Sequence, residues 1–409
     1  MTLTPSRPTH SWPGLDAVPT GLRTTVSARV ARRLFLSAVH RLPVTVRLDG
    51  EAHGRGGPAM TVERPDEFFA RLGRDGLIGF GEAYLTGAWE SDELTPFLTV
   101  LAADVGDLVP ASLQKLRSLV VHRPPRLHRN TTKRTRDNIA HHYDLSNDLF
   151  RLFLDPSLSY SSAMFDGDPA GDLHEAQLRK IDRLLDQTRV GPGTRVLEIG
   201  TGWGELAIRA ASRGATVHSV TLSSEQQALA QERIAAAGLS DRVHVELSDY
   251  RAVQGEYDAV LSVEMIEAVG HEYWPTYFRT IDRLLAPGGR VGIQAILMPH
   301  DRMLATRRTY TWINKYIFPG GFLPSAQAID EVNAAHTSLR VTERLAFGQD
   351  YAETLRRWDE SFLAAADQVK ALGFDETFLR MWHFYLCYSR AGFASGYLDV
   401  QQLTFERTV

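Results

Sequence analysis

Only one cysteine, Cys387, occurs in the 409 residues, so no internal disulfide can form. It lies in the aromatic segment Trp382-His383-Phe384-Tyr385-Leu386-Cys387-Tyr388, where core packing is its expected role. No run approaches the roughly 20 apolar residues of a membrane span. The stretch 1–19 is rich in Pro, Ser and Thr and has no apolar signal core, so residence in the cytoplasm is expected. Internal repeats and long low-complexity tracts are missing, and no metal site is expected. Acidic residues are missing from one stretch in particular. Between Lys115 and Arg136 there are eight basic residues (Lys115, Arg117, Arg123, Arg126, Arg129, Lys133, Arg134, Arg136) and no Asp or Glu, although the whole chain carries a net charge of -4. With Pro124 and Pro125 inside it, this segment reads as an exposed linker. The remainder, 44% hydrophobic and 23% charged, supplies ample core for two or three domains.

The most informative stretch is Arg195-Val196-Leu197-Glu198-Ile199-Gly200-Thr201-Gly202-Trp203-Gly204. An apolar run ends in Glu198, glycines follow at alternate positions, and a helix-like segment begins at once. Glycines admit positive φ and close approach of a ligand, and a helix N-terminus offers unpaired N–H groups. The spacing is not the dinucleotide fingerprint, and a carboxylate on the strand suits an ammonium better than a pyrophosphate. Downstream, 215–222 reads as a second strand and 223–237 as a helix capped by Ser223 or Ser224. Further strands are expected at 243–247, 258–263 and 291–297, and two final ones at 393–399 and 401–406. Strands alternating with helices give an α/β fold with a mainly parallel sheet.

The turn resembles motif I of the S-adenosylmethionine-dependent methyltransferases, and other blocks make the likeness specific. His142-Tyr143-Asp144-Leu145-Ser146-Asn147-Asp148-Leu149-Phe150, Leu154-Asp155-Pro156 and Tyr160-Ser161-Ser162-Ala163 resemble the opening segment of the cyclopropane-fatty-acid synthase family. So do Thr221-Leu222-Ser223-Ser224-Glu225-Gln226, Glu267-Ala268-Val269-Gly270 and Trp312-Ile313-Asn314-Lys315-Tyr316-Ile317-Phe318-Pro319. The blocks run in family order from about 140 to 405, with a weaker likeness at 80–89. The resemblance implies a Rossmann-like class I methyltransferase with a seven-stranded, mainly parallel sheet. It implies S-adenosylmethionine at Tyr160, Ser161, Glu198, Gly200, Gly202, Thr221, Leu222 and Gln226, with Asp249 and Tyr250 near the adenine. The organisation expected is a mainly helical, lipid-associated N-terminal domain (1–110), a basic linker (111–136) and a methyltransferase domain (137–409). A helical insertion at 299–390 would roof the cofactor site and wall an acyl channel.

Family members methylate alkenes in phospholipid acyl chains, and a bound bicarbonate, held by a Cys, a Glu, a His, a Tyr and backbone groups, is their proton acceptor. Here Glu267 and Tyr316 match the Glu and the Tyr, but Ser162 replaces the Cys and Gln294 the His. Glu264 stands where the family has a small residue. On a helix after the fourth strand, Glu264 and Glu267 would share a face at i, i+3, and two neighbouring carboxylates would raise one pKa toward that of a useful base. An acid there is equally what a helix N-terminus favours. If Glu264 fills the place of bicarbonate, the anion is not needed.

The altered pattern resembles the actinobacterial fatty-acid methyltransferases that make 10-methylene acyl chains, precursors of tuberculostearic acid. The expected substrate is an oleoyl-like phospholipid chain, and a flavin-dependent reductase is the partner such a pathway implies. A true cyclopropane synthase and a non-catalytic lipid-binding subunit are the alternatives. A second basic stretch, 22–47, mixes Arg29, Arg32, Arg33 and Arg41 with apolar residues as a surface amphipathic helix does. Anionic lipid at the inner membrane face explains both basic segments better than nucleic acid, for which no motif is present, and plain solvated surface is the alternative. The sequence leaves a homo-oligomer open.

Overall fold

The computed structural model describes residues 12, 14–104 and 146–408. The expected basic linker, 111–136, and His142–Leu145 lie outside the described residues. These fall into two compact units: one holds the residues up to 104 with 309–312 and 355–395, the other 146–308, 313–354 and 396–408.

The first unit is not purely helical. Strands β1 (Thr45–Leu48), β2 (Glu51–Gly54), β3 (Ala59–Val62) and β4 (Trp89–Glu90) form a sheet in the order β2-β1-β3-β4. Asp49 and Gly50, both at positive φ, make the two-residue turn that joins β1 to its antiparallel partner β2. The helix Pro65–Asp75 buries Phe68, Phe69 and Arg71. Arg71, with no exposed surface, donates to the carbonyls of Gly14, Leu15 and Ala17 at 3.0, 2.9 and 3.4 Å, so one buried guanidinium ties down the amino-terminal strand of chain. The helix Glu376–Ala394 belongs here too: Arg380 bonds the Tyr84 carbonyl and Glu90, and Phe384 packs against Tyr84 and Trp89. Cys387 is buried on this helix, its thiol donating to Asp359 Oδ2 at 3.5 Å.

The expected insertion is therefore divided. Its aromatic part, 355–390, packs with the N-terminal segment because its large rings find their partners there. The part before it contains a strand, β10 (Leu339–Ala346), as well as helices. Phe393 and Ala394 finish a helix and do not start a strand; the aromatic run continues the helical period.

The second unit carries β5 (Arg195–Ile199), β6 (Thr216–Thr221), β7 (Val243–Leu247), β8 (Tyr257–Val263), β9 (Leu285–Leu297), β10 and β11 (Asp399–Arg407) in the order β10-β11-β9-β8-β5-β6-β7. Strands β5 to β9 are mutually parallel, and β11 runs antiparallel to β9 and β10. The core consists of side chains such as Leu197, Val260, Tyr277, Ile281 and Ile293 on one face and Val196, Ala207, Ala230 and Leu261 on the other. Strand order reverses between β8 and β5, so the crevice beyond their carboxyl ends is where a ligand fits.

Candidate active site

The turn after β5 builds one wall of a cavity. Gly202 has φ +52 and a Cβ built on it would meet nothing within 4 Å, so its backbone faces open space. Gly204, at φ +92, starts the helix Glu205–Ser212 and would carry its Cβ 3.2 Å from that of Ala230. Glu198 is buried, accepts a 2.5 Å hydrogen bond from Ser219 Oγ, and has its carboxyl pushed up to about 8 by burial. Ser223 caps the helix Ser224–Ala236 through the Gln226 amide at 3.2 Å, and Thr221 Oγ1 donates to Gln226 Oε1 at 2.9 Å. The cavity is lined by the expected Tyr160, Ser161, Glu198, Gly200, Gly202, Thr221, Leu222, Gln226 and Tyr250. Asp249 stands between the cavity-lining Ser248 and Tyr250, its carboxylate capping the turn Tyr250–Ala252 and pairing with Arg251. A buried acid, a turn with room for a ligand, and an aromatic side wall fit the ammonium and nucleoside ends of S-adenosylmethionine.

Glu264 lines the same cavity. It is not on a helix: it follows β8 at φ +48, before the helix Ile266–Val269, so the expected shared helical face is replaced by a strained residue at a strand end. Its carboxylate does not serve the helix amides either. Oε1 accepts from the Ser162 amide at 2.9 Å and from Gln294 Nε2 at 2.8 Å, and Oε2 accepts from the Tyr351 hydroxyl at 2.7 Å. Burial pushes its pKa up, while the Lys180 charge and these hydrogen bonds pull it down.

Glu267 is on the short helix. Its Oε1 accepts from the Ile296 amide at 2.5 Å, and its buried Oε2 has no hydrogen-bond partner among the described residues. Burial first, then the Glu264 charge, push its carboxyl up to about 8. Ser162 uses its amide on Glu264 and its hydroxyl on the Ala163 carbonyl at 2.9 Å. Gln294, fully buried, is oriented by Gln402 Nε2, which donates to its Oε1 at 3.1 Å. Tyr316 ends the helix Trp312–Tyr316, with Lys315 Nζ 5.1 Å from its ring centroid. The tyrosine hydroxyl on Glu264 is that of Tyr351.

Tyr351, Lys180 and Gln402 are the site residues that the sequence reading missed. Lys180 left a trace: in the amphipathic helix Leu173–Gln187 it occupies the stripe of Ala176, Ile181 and Leu184, where a cation is out of place. Tyr351 and Gln402 left none, because only the folded topology brings them to Glu264 and Gln294.

A mainly parallel sheet with the crevice at its reversal point, a glycine turn after the first strand of that sheet and a buried acid beside it define a class I methyltransferase fold. The chain belongs to the mycolic acid cyclopropane synthetase family, whose model matches residues 130–403. It is 54% identical over 406 residues to the tuberculostearic acid methyltransferase UfaA1 of Mycobacterium tuberculosis, covering 97% of this chain and 95% of that protein. The cyclopropane-fatty-acyl-phospholipid synthase of Escherichia coli K12 is 37% identical over 367 residues, 88% of this chain and 91% of its own. Among solved structures, mycolic acid cyclopropane synthase CmaA1 complexed with SAH and CTAB superposes with a TM-score of 0.62 at 31% identity, covering 69% of this chain and 99% of that one.

Proposed function

We propose that the protein is an S-adenosylmethionine-dependent C-methyltransferase that converts an oleoyl-like phospholipid chain to its 10-methylene form, with Glu264 as proton acceptor. The observation that carries this reading is the set of donors on Glu264. The residues standing at the family's Cys and His positions, Ser162 and Gln294, both donate to its Oε1, so a carboxylate of the protein takes the place that a bound bicarbonate has in the resemblance. S-adenosylmethionine, when bound, supplies an electrophilic methyl group. The alkene π pair forms the new carbon–carbon bond as the sulfur–methyl bond breaks with its pair staying on sulfur, which leaves as a neutral thioether, and the positive charge appears on the neighbouring carbon. A hydride shift moves that charge to the methylated carbon. Glu264 then accepts a proton from the methyl group, whose C–H pair becomes the exocyclic double bond. A buried, water-excluding site prevents capture of the cation.

The similarity to UfaA1 supports this product, and the likeness to the E. coli synthase keeps ring closure as a second reading. The partnerless Glu267 Oε2 favours that second reading, since it could bond a bound bicarbonate. Mass spectrometry of lipids from a host expressing the chain decides: a vinylidene in the acyl chain is expected, and a cyclopropane ring would overturn the proposal. Lipid unchanged despite bound cofactor would point to a non-catalytic subunit.

The reading also includes attachment to anionic membranes. The helix Leu22–Val39 has no acidic residue and exposes Leu22, Val26, Val30 and Leu34 beside exposed Arg23, Arg29 and Arg33. No helix among the described residues is long and apolar enough to cross a membrane, so attachment would be peripheral. A reductase that saturates the methylene product is the partner chemistry this implies.

A further inference from the structure

We propose that Lys180 is a positioning residue that keeps Glu264 ionised and aimed at the cavity; this rests on the reading of Glu264 as proton acceptor. Lys180 is 1% exposed, on the helix Leu173–Gln187. Its Nζ donates to Ser161 Oγ at 2.5 Å and to the Ser162 carbonyl at 3.1 Å. Lys180 thus clamps Ser161 and Ser162, and the amide that joins them, the Ser162 N–H, holds Glu264 Oε1. Its own carbonyl accepts from Gln402 Nε2 at 2.8 Å, and the same amide group fixes Gln294, the second donor to Oε1. Both donors on that oxygen are therefore registered to one lysine.

The charge has a use as well as the geometry. A buried cation beside a site where a sulfonium reacts and a carbocation forms would oppose the reaction if left alone. Opposite Glu264 it is offset, and it in turn favours the carboxylate over the acid, the form a base must have. The ionisable groups facing the pair are Glu267, Tyr351 and, on the Lys180 side, Asp155, itself 2.8 Å from His174 Nδ1; Glu198 lines the same cavity. Burial pushes the Lys180 ammonium down to about 8, with Glu264 and Asp155 pulling it back up.

Lys180→Gln keeps an N–H donor for Ser161 and Ser162 but removes the charge, and Lys180→Met removes both. The measurement is kcat against pH for each, beside Glu264→Gln, with cofactor affinity by calorimetry and folding by circular dichroism. Without the lysine charge, the acidic limb of the profile moves up by about one pH unit or more, giving a tenfold or greater loss at pH values below the limb that recovers at high pH. A loss uniform across pH, or none, overturns the assignment of Lys180 while an inactive Glu264→Gln leaves the base in place. An active Glu264→Gln overturns both. If the single lysine variants do not fold, thermal melting of Lys180→Gln combined with Glu264→Gln decides. Removing both charges restores stability relative to either lysine variant if the two are paired, and a double variant no more stable than the single overturns the pairing.

Discussion

At the scale of single residues, the site gathers its polar groups on one side-chain carboxylate. Ser162 contributes its amide and Gln294 its Nε2, and both go to Glu264. Glu264→Gln keeps the shape and removes the charge. Its turnover is expected to fall by roughly 100-fold or more, the size of a lost general base, while S-adenosylmethionine still binds in a calorimetric titration. Wild-type activity should be indifferent to depletion of bicarbonate; dependence on the anion together with an active Glu264→Gln would return the proton to bicarbonate held by Glu267. Glu267 makes a separate prediction about stability. Its carboxyl is raised from 4.5 to about 8 in the folded protein. Between those pH values the folded state holds a proton that the unfolded chain has released, so stability falls as pH rises, by at most about 1.4 kcal/mol per pH unit for one group. Glu267→Gln removes this term. Denaturation curves should show the variant gaining on wild type at pH 8.5 relative to pH 5.5, and a constant difference would contradict the burial argument. Ser162, Glu264, Glu267 and Gln294 were singled out in the sequence because the resemblance marks their positions, and the fold brings Ser162 and Gln294 onto Glu264. Lys180 and Tyr351 were not, since they lie 84 and 87 positions from Glu264 along the chain and only packing brings them near.

At the scale of elements, short local signals were read well and long-range ones poorly. The β5 turn, the Ser223 cap and the five parallel strands follow from glycine spacing, capping chemistry and apolar runs within a few residues. Strand β10 escaped because Leu339–Ala346 is half polar, half exposed and without a sustained apolar alternation; its pairing with β11, not its own hydrophobicity, makes it a strand. Glu264 escaped as a strand-end residue because nothing in Val-Glu-Met-Ile distinguishes a left-handed residue from the first turn of a helix. The β5 turn carries its own prediction. Gly202→Val forces a β-branched residue to φ +52 and points its side chain into the cavity. Affinity for S-adenosylmethionine should fall at least tenfold in a calorimetric titration, with the fold retained by circular dichroism; unchanged affinity would remove the cofactor from this turn.

At the scale of the whole molecule, the chain has a net charge of -4 and yet concentrates basic residues where acids are missing. In the helix Leu22–Val39 the buried side packs through Phe35 onto Phe68 and Phe69, and Arg32 is spent on Asp49. The other side keeps Arg23, Arg29 and Arg33 exposed among apolar residues that nothing among the described residues of its unit covers. A lone basic face could be mere solvated surface, but solvation does not explain why Leu22, 88% exposed, and Val26, 61% exposed, stand on the same side. A bilayer with anionic headgroups satisfies both, each basic residue near it contributing about 1 kcal/mol and the apolar side chains entering the headgroup boundary. Sedimentation with vesicles rich in phosphatidylglycerol is expected to carry the protein down at low salt. Binding should weaken steeply toward physiological ionic strength, where screening limits the reach of charge to about 8 Å, and neutral vesicles should bind poorly. Replacing Arg23, Arg29 and Arg33 together by Gln should lower anionic binding while leaving the melting temperature unchanged, because these guanidiniums are exposed and outside the core. Equal sedimentation with anionic and neutral vesicles, or a triple variant that binds as well as wild type, would return this helix to solvated surface.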